Sequence, residues 1–211
     1  GGIHAGEIDG KDAGFWALRD LLTQKDLGHV LRSVTVVFVP IFNIDGHERF
    51  GPNHRPNQNG PLEMGWRATA QNLNLNRDYM KAEAPEMAAM LTLLNRWDPI
   101  VYGDLHVTDG AKFEHDVAVM VEPRNAGPEE LRADGKALTS ALFKKLEPQG
   151  HLPLDFYPSF EKEDEPKSGF SQGVAPPRFS NAYWSLRNRF GVLVETHSWK
   201  PYAHRVRATR N

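Results

Sequence analysis

Ile100-Val101-Tyr102-Gly103-Asp104-Leu105-His106 is the stretch from which the fold is read. It is an apolar, β-favouring run that closes on a histidine, and Asp109 beyond it suits a turn. Three further runs have the same character. Val34-Thr35-Val36-Val37-Phe38-Val39-Pro40-Ile41 is nearly continuous in β-branched residues, the pattern of a strand buried in a parallel sheet. Val117-Ala118-Val119-Met120-Val121 reads as another strand, and Gly191-Val192-Leu193-Val194-Glu195 as a last one that ends on a carboxylate. Helical patterns lie between them. Residues 10–27 carry Ala13, Trp16, Ala17 and Leu21 on one face, with Asp9 as the expected cap, Asp12 in the first turn and Gly28 as the stop. Pro85-Glu86 opens a second helix with Met87, Met90, Leu91 and Leu94 on one side. Residues 128–146 form a third. Strands alternating with helices place the chain in the α/β class with a mostly parallel sheet.

In such sheets ligands sit beyond the carboxyl ends of the strands. His106 and Glu195 each end a strand, and His4 stands where one would just have ended. That shared placement points to a single site.

Composition narrows what the site does. A chain of 211 residues suits one domain with a sizeable core. Its net charge of -2 gives no electrostatic footprint for nucleic acid. No apolar run reaches the length that crosses a bilayer. With no cysteine, disulfides and thiolate ligands are excluded, so any metal is held by His, Asp or Glu. The opening glycines look like the end of a strand, so further sequence is expected upstream. Residues 42–80 form a long polar segment rich in Gly, Asn and Pro, and a connection of that length is usually functional or disordered. Its content, including Asn43, Asp45, Arg49, Trp66, Arg67, Asn74, Asn76 and Arg77, favours function. Residues 148–177, with the cluster Glu161-Lys162-Glu163-Asp164-Glu165, read as a surface excursion.

Each candidate residue has two readings. In His4-Ala5-Gly6-Glu7 an imidazole and a carboxylate can converge on one ion, yet the same pair serves as a surface histidine and a helix-start glutamate. His106 is either a ligand or a satisfied structural histidine, with Asp104 or Asp109 able to orient its ring. Glu195 is either a base beside an activated water or one half of an ion pair. Arg67 and Arg77 offer rigid forks for a carboxylate or an oxyanion, or are solvated surface charges.

Taken in order, these pieces resemble the zinc carboxypeptidases of the carboxypeptidase A/B type, the funnelins, with a bacterial-type member as the nearest pattern. His4 and Glu7 look like the family's first two zinc ligands. Asn43-Ile44-Asp45-Gly46 is similar to its Asn-Pro-Asp-Gly stretch, with Ile for Pro. Trp66-Arg67 resembles the segment that carries the carbonyl-polarising arginine. Asn76-Arg77 resembles the pair that binds the substrate's terminal carboxylate. His106 then looks like the third ligand and Glu195 like the general base. Tyr183 is the candidate for the mobile tyrosine. Gly6 departs from the pattern, since many members carry arginine there.

The resemblance implies a twisted, mixed, mostly parallel sheet flanked by helices, and one Zn2+ per chain. It implies a catalytic domain over residues 1–211, incomplete at both ends. The implied partner is a peptide with a free C-terminal carboxylate. The compartment stays open, with the periplasm or secretion favoured over the cytoplasm. An amidohydrolase acting on N-acyl amino acids, or a non-catalytic zinc-binding module, is the alternative on the same scaffold. The sequence leaves the oligomeric state open.

Overall fold

Helices and strands alternate along residues 1–211 of the computed structural model, with shorter pieces between them. The chain runs through α1 (Asp9–Thr23), the single-turn α2 (Val30–Ser33), α3 (Ile44–Glu48) and the antiparallel pair β1 (Gly51–Pro52) and β2 (Glu63–Met64). It continues through α4 (Pro85–Trp97), β3 (Val101–Val107), β4 (Val117–Glu122), α5 (Glu129–Leu146) and β5 (Pro153–Leu154). The antiparallel β6 (Ser159–Phe160) and β7 (Phe170–Ser171) precede α6 (Ser180–Ser185), β8 (Phe190–Thr196) and α7 (Tyr202–Arg210).

The fold is mixed α/β, and its main sheet has the order β3-β8-β4-β5. β4 and β5 are parallel. β3 and β8 also run the same way, because the Phe190 amide bonds the Ile100 carbonyl and the Thr108 amide bonds the Thr196 carbonyl. No helix is long and apolar enough to cross a membrane.

The chain divides into two compact units. The first comprises Gly1–Leu75, Leu105–Lys112 and Thr196–Asn211. In it α1 lies against α7, and arginines tie the two helices together. Arg205 is fully buried on α7 and reaches the Asp9 carboxylate at 2.8 and 3.3 Å. The same guanidinium donates to the carbonyls of Asn59, Gly60 and Lys200 at 2.8, 2.8 and 2.6 Å. Arg210 bonds Asp20 further along α1.

The structure departs from the sequence expectation at two places. Asp9 is not the cap of α1 but its first residue. It is buried, and accepts from Arg205 and from the Thr196 hydroxyl at 2.7 Å. The helix stops at Thr23, where Gln24 turns extended while its amide closes on the Asp20 carbonyl, so Gly28 lies past the end. Residues 34–41 are not a buried strand either. Val34, Val36 and Val37 are exposed, and no strand pairs with them. The Gly1 nitrogen bonds the Val39 carbonyl at 2.8 Å. β-Branched residues favour an extended backbone, but only flanking strands bury it.

The second unit comprises Asn76–Asp104 and Phe113–Glu195. Its core is built on alternate residues of β4, Val117, Val119 and Val121, which share one face of the pleat. Leu138, Leu142, Phe143 and Leu146 of α5 pack there, as do Phe190, Val192 and Val194 of β8. The excursion after α5 is anchored by rings. Phe113 lies 5.6 Å from Phe160 and 5.7 Å from Phe170, while Phe156 lies 5.5 Å from Phe170. The charged run 161–165 stays exposed above them.

Candidate metal centre

The turn that opens the chain is closed by the Glu7 amide on the His4 carbonyl at 2.9 Å, which sends both side chains to one side. β3 brings His106 to the same carboxylate. His4 Nδ1 lies 2.8 Å from Glu7 Oε1, and His106 Nδ1 lies 2.9 Å from Glu7 Oε2. The two rings meet edge to face with centroids 5.0 Å apart. All three residues are buried, and their ligand atoms lie within 4.8 Å of one another. His4 Nε2 faces Asn74 Oδ1 at 3.1 Å. An acceptor there puts the ring proton on Nε2 and leaves the Nδ1 lone pair for a metal.

Electrostatics prepares the same outcome. Burial pushes the Glu7 carboxyl up, but Arg55 above all, then His4 and His106, outweigh it and hold the group well below the usual carboxylate range. Burial lowers His4, and Glu7 offsets this only in part, which favours the neutral ring. An ionised carboxylate and neutral imidazoles are the forms that bind a metal. Two histidines and one glutamate match a catalytic zinc site, in which three protein ligands leave a further position open. The residues present therefore fit zinc.

Arg67 joins this group in the first unit. Its Nη1 lies 3.4 Å from Glu7 Oε1, and its side chain is 38% exposed, open enough to reach a bound molecule. The Asn43–Gly46 segment sets its position. Asn43 accepts from the Gly46 amide at 3.0 Å, capping α3, and donates to the Arg67 carbonyl at 3.1 Å. The Trp66 amide bonds the Gly46 carbonyl at 2.7 Å. A Cβ at Gly46 would stand 2.3 Å from the Trp66 carbonyl oxygen, so this approach requires glycine.

Asn76, Arg77, Tyr183 and Glu195 belong to the second unit. Asn76 is buried. Arg77 donates to the Asn76 carbonyl at 2.6 Å and lies over the Phe179 ring at 4.4 Å. Asp78 accepts from the Glu83 and Ala84 amides at 3.1 and 2.9 Å, which ties this segment to the start of α4. Tyr183 sits within α6, its ring 5.5 Å from that of Tyr79. Glu195 is buried in β8, immediately before Thr196, whose hydroxyl reaches the His106 carbonyl at 3.3 Å. Asp104, weighed as an orienter of His106, accepts from the Ser180 hydroxyl at 2.6 Å.

Arg55 and Gln58 have no counterpart in the sequence reading. Arg55 Nη1 bonds Glu7 Oε1 at 2.6 Å across 48 residues of chain. No spacing rule links positions that far apart. The only signal was the polar richness of residues 42–80.

A family model described as zinc carboxypeptidase matches residues 1–125. That span holds His4, Glu7, Arg67, Asn76, Arg77 and His106, and leaves out Tyr183 and Glu195. The chain is similar to the metallo-carboxypeptidase of Burkholderia cenocepacia, at 16% identity and a TM-score of 0.67 over 99% of this chain and 52% of the other. It is similar also to a metallo-carboxypeptidase from Pseudomonas aeruginosa solved in complex with (2-guanidinoethylmercapto)succinic acid. That match has 15% identity and a TM-score of 0.67, with 99% and 52% of the two chains covered. The chain thus spans about half the length of these structures, and at such identities the likeness shows the fold. No curated protein matches the sequence.

Proposed function

Because the chain belongs to the zinc carboxypeptidase family, we propose that it is part of a metallocarboxypeptidase that hydrolyses the C-terminal peptide bond of peptides. One observation carries this reading: two buried histidine Nδ1 atoms converge on the two oxygens of one buried carboxylate. His4, Glu7 and His106 would hold zinc. When bound, the ion acidifies water and polarises a carbonyl.

The rest falls to this chain's own side chains. Glu195 takes the proton of the attacking water and passes it to the leaving amine. Arg67 donates N–H groups to the oxygen that gains charge as the carbonyl becomes tetrahedral. Arg77, with Asn76, binds the substrate's terminal carboxylate, and a guanidinium fork suits that group because it makes two parallel bonds. The Phe179 ring lies under the guanidinium at 4.4 Å, a cation–π contact that favours its place there. Tyr183 is the candidate for the family's mobile tyrosine, which binds substrate.

The test uses the zinc-loaded full-length protein on three substrate sets: peptides with a free C-terminus, the same peptides amidated, and N-acyl amino acids. Cleavage confined to free C-termini is expected. Arg77→Ala should reduce kcat/KM on free-ended peptides by about 10–100-fold, the loss of a charge-assisted pair of about 1.5–3 kcal/mol. Equal loss on amidated peptides would remove the carboxylate clamp. Turnover of N-acyl amino acids alone would move the reading to an amidohydrolase.

A further inference from the structure

Resting on the reading of His4, Glu7 and His106 as the metal site, one buried arginine acquires a role. Arg55 is 8% exposed, and its guanidinium spends its donors inside the first unit. Nε donates to Gln58 Oε1 at 2.7 Å, Nη1 to Glu7 Oε1 at 2.6 Å, and Nη2 to the carbonyls of Val107 and Thr108 at 3.0 and 3.1 Å. Gln58 Nε2 donates in turn to the Gly6 carbonyl at 3.0 Å. Arg55 therefore joins the Glu7 carboxylate to the backbone that follows His106, and through Gln58 it also reaches the turn between His4 and Glu7. Gly6 leaves room for it. A Cβ there would lie 2.8 Å from Arg55 Cδ and 3.0 Å from the Gly65 carbonyl oxygen.

We propose that Arg55 is a positioning residue of the metal site, holding Glu7 and His106 in register so that both offer their donor atoms to one ion. The planar fork supplies the geometry, since its N–H directions are fixed relative to one another. The Val107 amide, which donates to Glu7 Oε2 at 3.0 Å, works to the same end from the other oxygen. Charge alone makes the opposite prediction. A cation beside a divalent ion repels it, so a purely electrostatic Arg55 would weaken metal binding and its removal would tighten it. Positioning predicts that removal loosens the metal, by about 10–100-fold, as loss of outer-shell partners does elsewhere.

The experiment measures zinc affinity of the full-length protein by competition with a chromophoric chelator. It adds the visible spectrum of the Co2+-substituted protein and circular dichroism of the metal-free form. For Arg55→Met the expected result is zinc binding weaker by about 10–100-fold, an altered cobalt spectrum and an unchanged metal-free fold. Arg55→Lys keeps the cation without the fork and should bind zinc no better than Arg55→Met. Should Arg55→Met fail to fold, Gly6→Ala carries the test, because its methyl displaces the Arg55 stem and should give the same loss. Zinc binding that is unchanged or tighter in Arg55→Met, or unchanged in Gly6→Ala, would overturn the proposal. So would full recovery in Arg55→Lys. Zinc uptake that survives both His4→Ala and His106→Ala would instead remove the metal site itself, and this role with it.

Discussion

Glu195→Gln is expected to keep zinc and lose turnover by about 10²–10⁴-fold, the contribution a positioned general base makes. Glutamine preserves the shape of the side chain at the end of β8 but cannot accept the water's proton. Glu195 is not among the three residues whose atoms could hold the metal, so metal content should not change. The pair of measurements matters more than either alone. Zinc per chain by elemental analysis and kcat on a free-ended peptide should separate, the first constant and the second collapsed. A Glu195→Gln protein that turns over at the rate of the unaltered one would take the base away from this residue.

The second large effect is structural. Arg205→Met should lower unfolding free energy by about 3–5 kcal/mol, the cost of breaking a buried pair by removing one member. Asp9 would remain buried without its cation, and burial already pushes its carboxyl above the ordinary value despite Arg205. The carbonyls of Asn59, Gly60 and Lys200 would lose a donor at the same stroke. Against a total stability of about 5–15 kcal/mol for a folded domain, that is a large share. The surface pair Arg189–Asp98, whose side chains are 32% and 51% exposed, provides the contrast. Its disruption should cost under about 1 kcal/mol, because solvent screens the charges and flexible side chains lose entropy on pairing. Urea unfolding of the two variants checks both figures. An Arg205→Met protein no less stable than one lacking the surface pair would mean that the buried cluster is not what anchors α1 to α7.

The α/β class was legible because the apolar runs that matter are long and bounded. Residues 100–106 became Val101–Val107, and residues 191–195 became Phe190–Thr196. Proline at the start placed α4. Legibility failed where tertiary partners decide. The run 34–41 has the composition of an interior strand, yet composition does not supply the neighbouring strands that would bury it. Asp9 has the look of a cap, yet Arg205 and Thr196, distant in sequence, draw it into the interior. That His4, Glu7 and His106 would meet was legible through the family's motifs, since His4 and Glu7 share one turn and His106 closes a strand. Arg55 was not, because a buried arginine and a solvated one look alike until the chain folds around it.

If His4, Glu7 and His106 form one zinc site, equilibrium dialysis of the full-length protein with metal analysis will register it. One zinc per chain is predicted for the unaltered protein, with that zinc lost in His106→Ala while circular dichroism shows the fold intact. A His106→Ala protein that still binds one zinc with undiminished affinity would mean that the three residues do not form a zinc site.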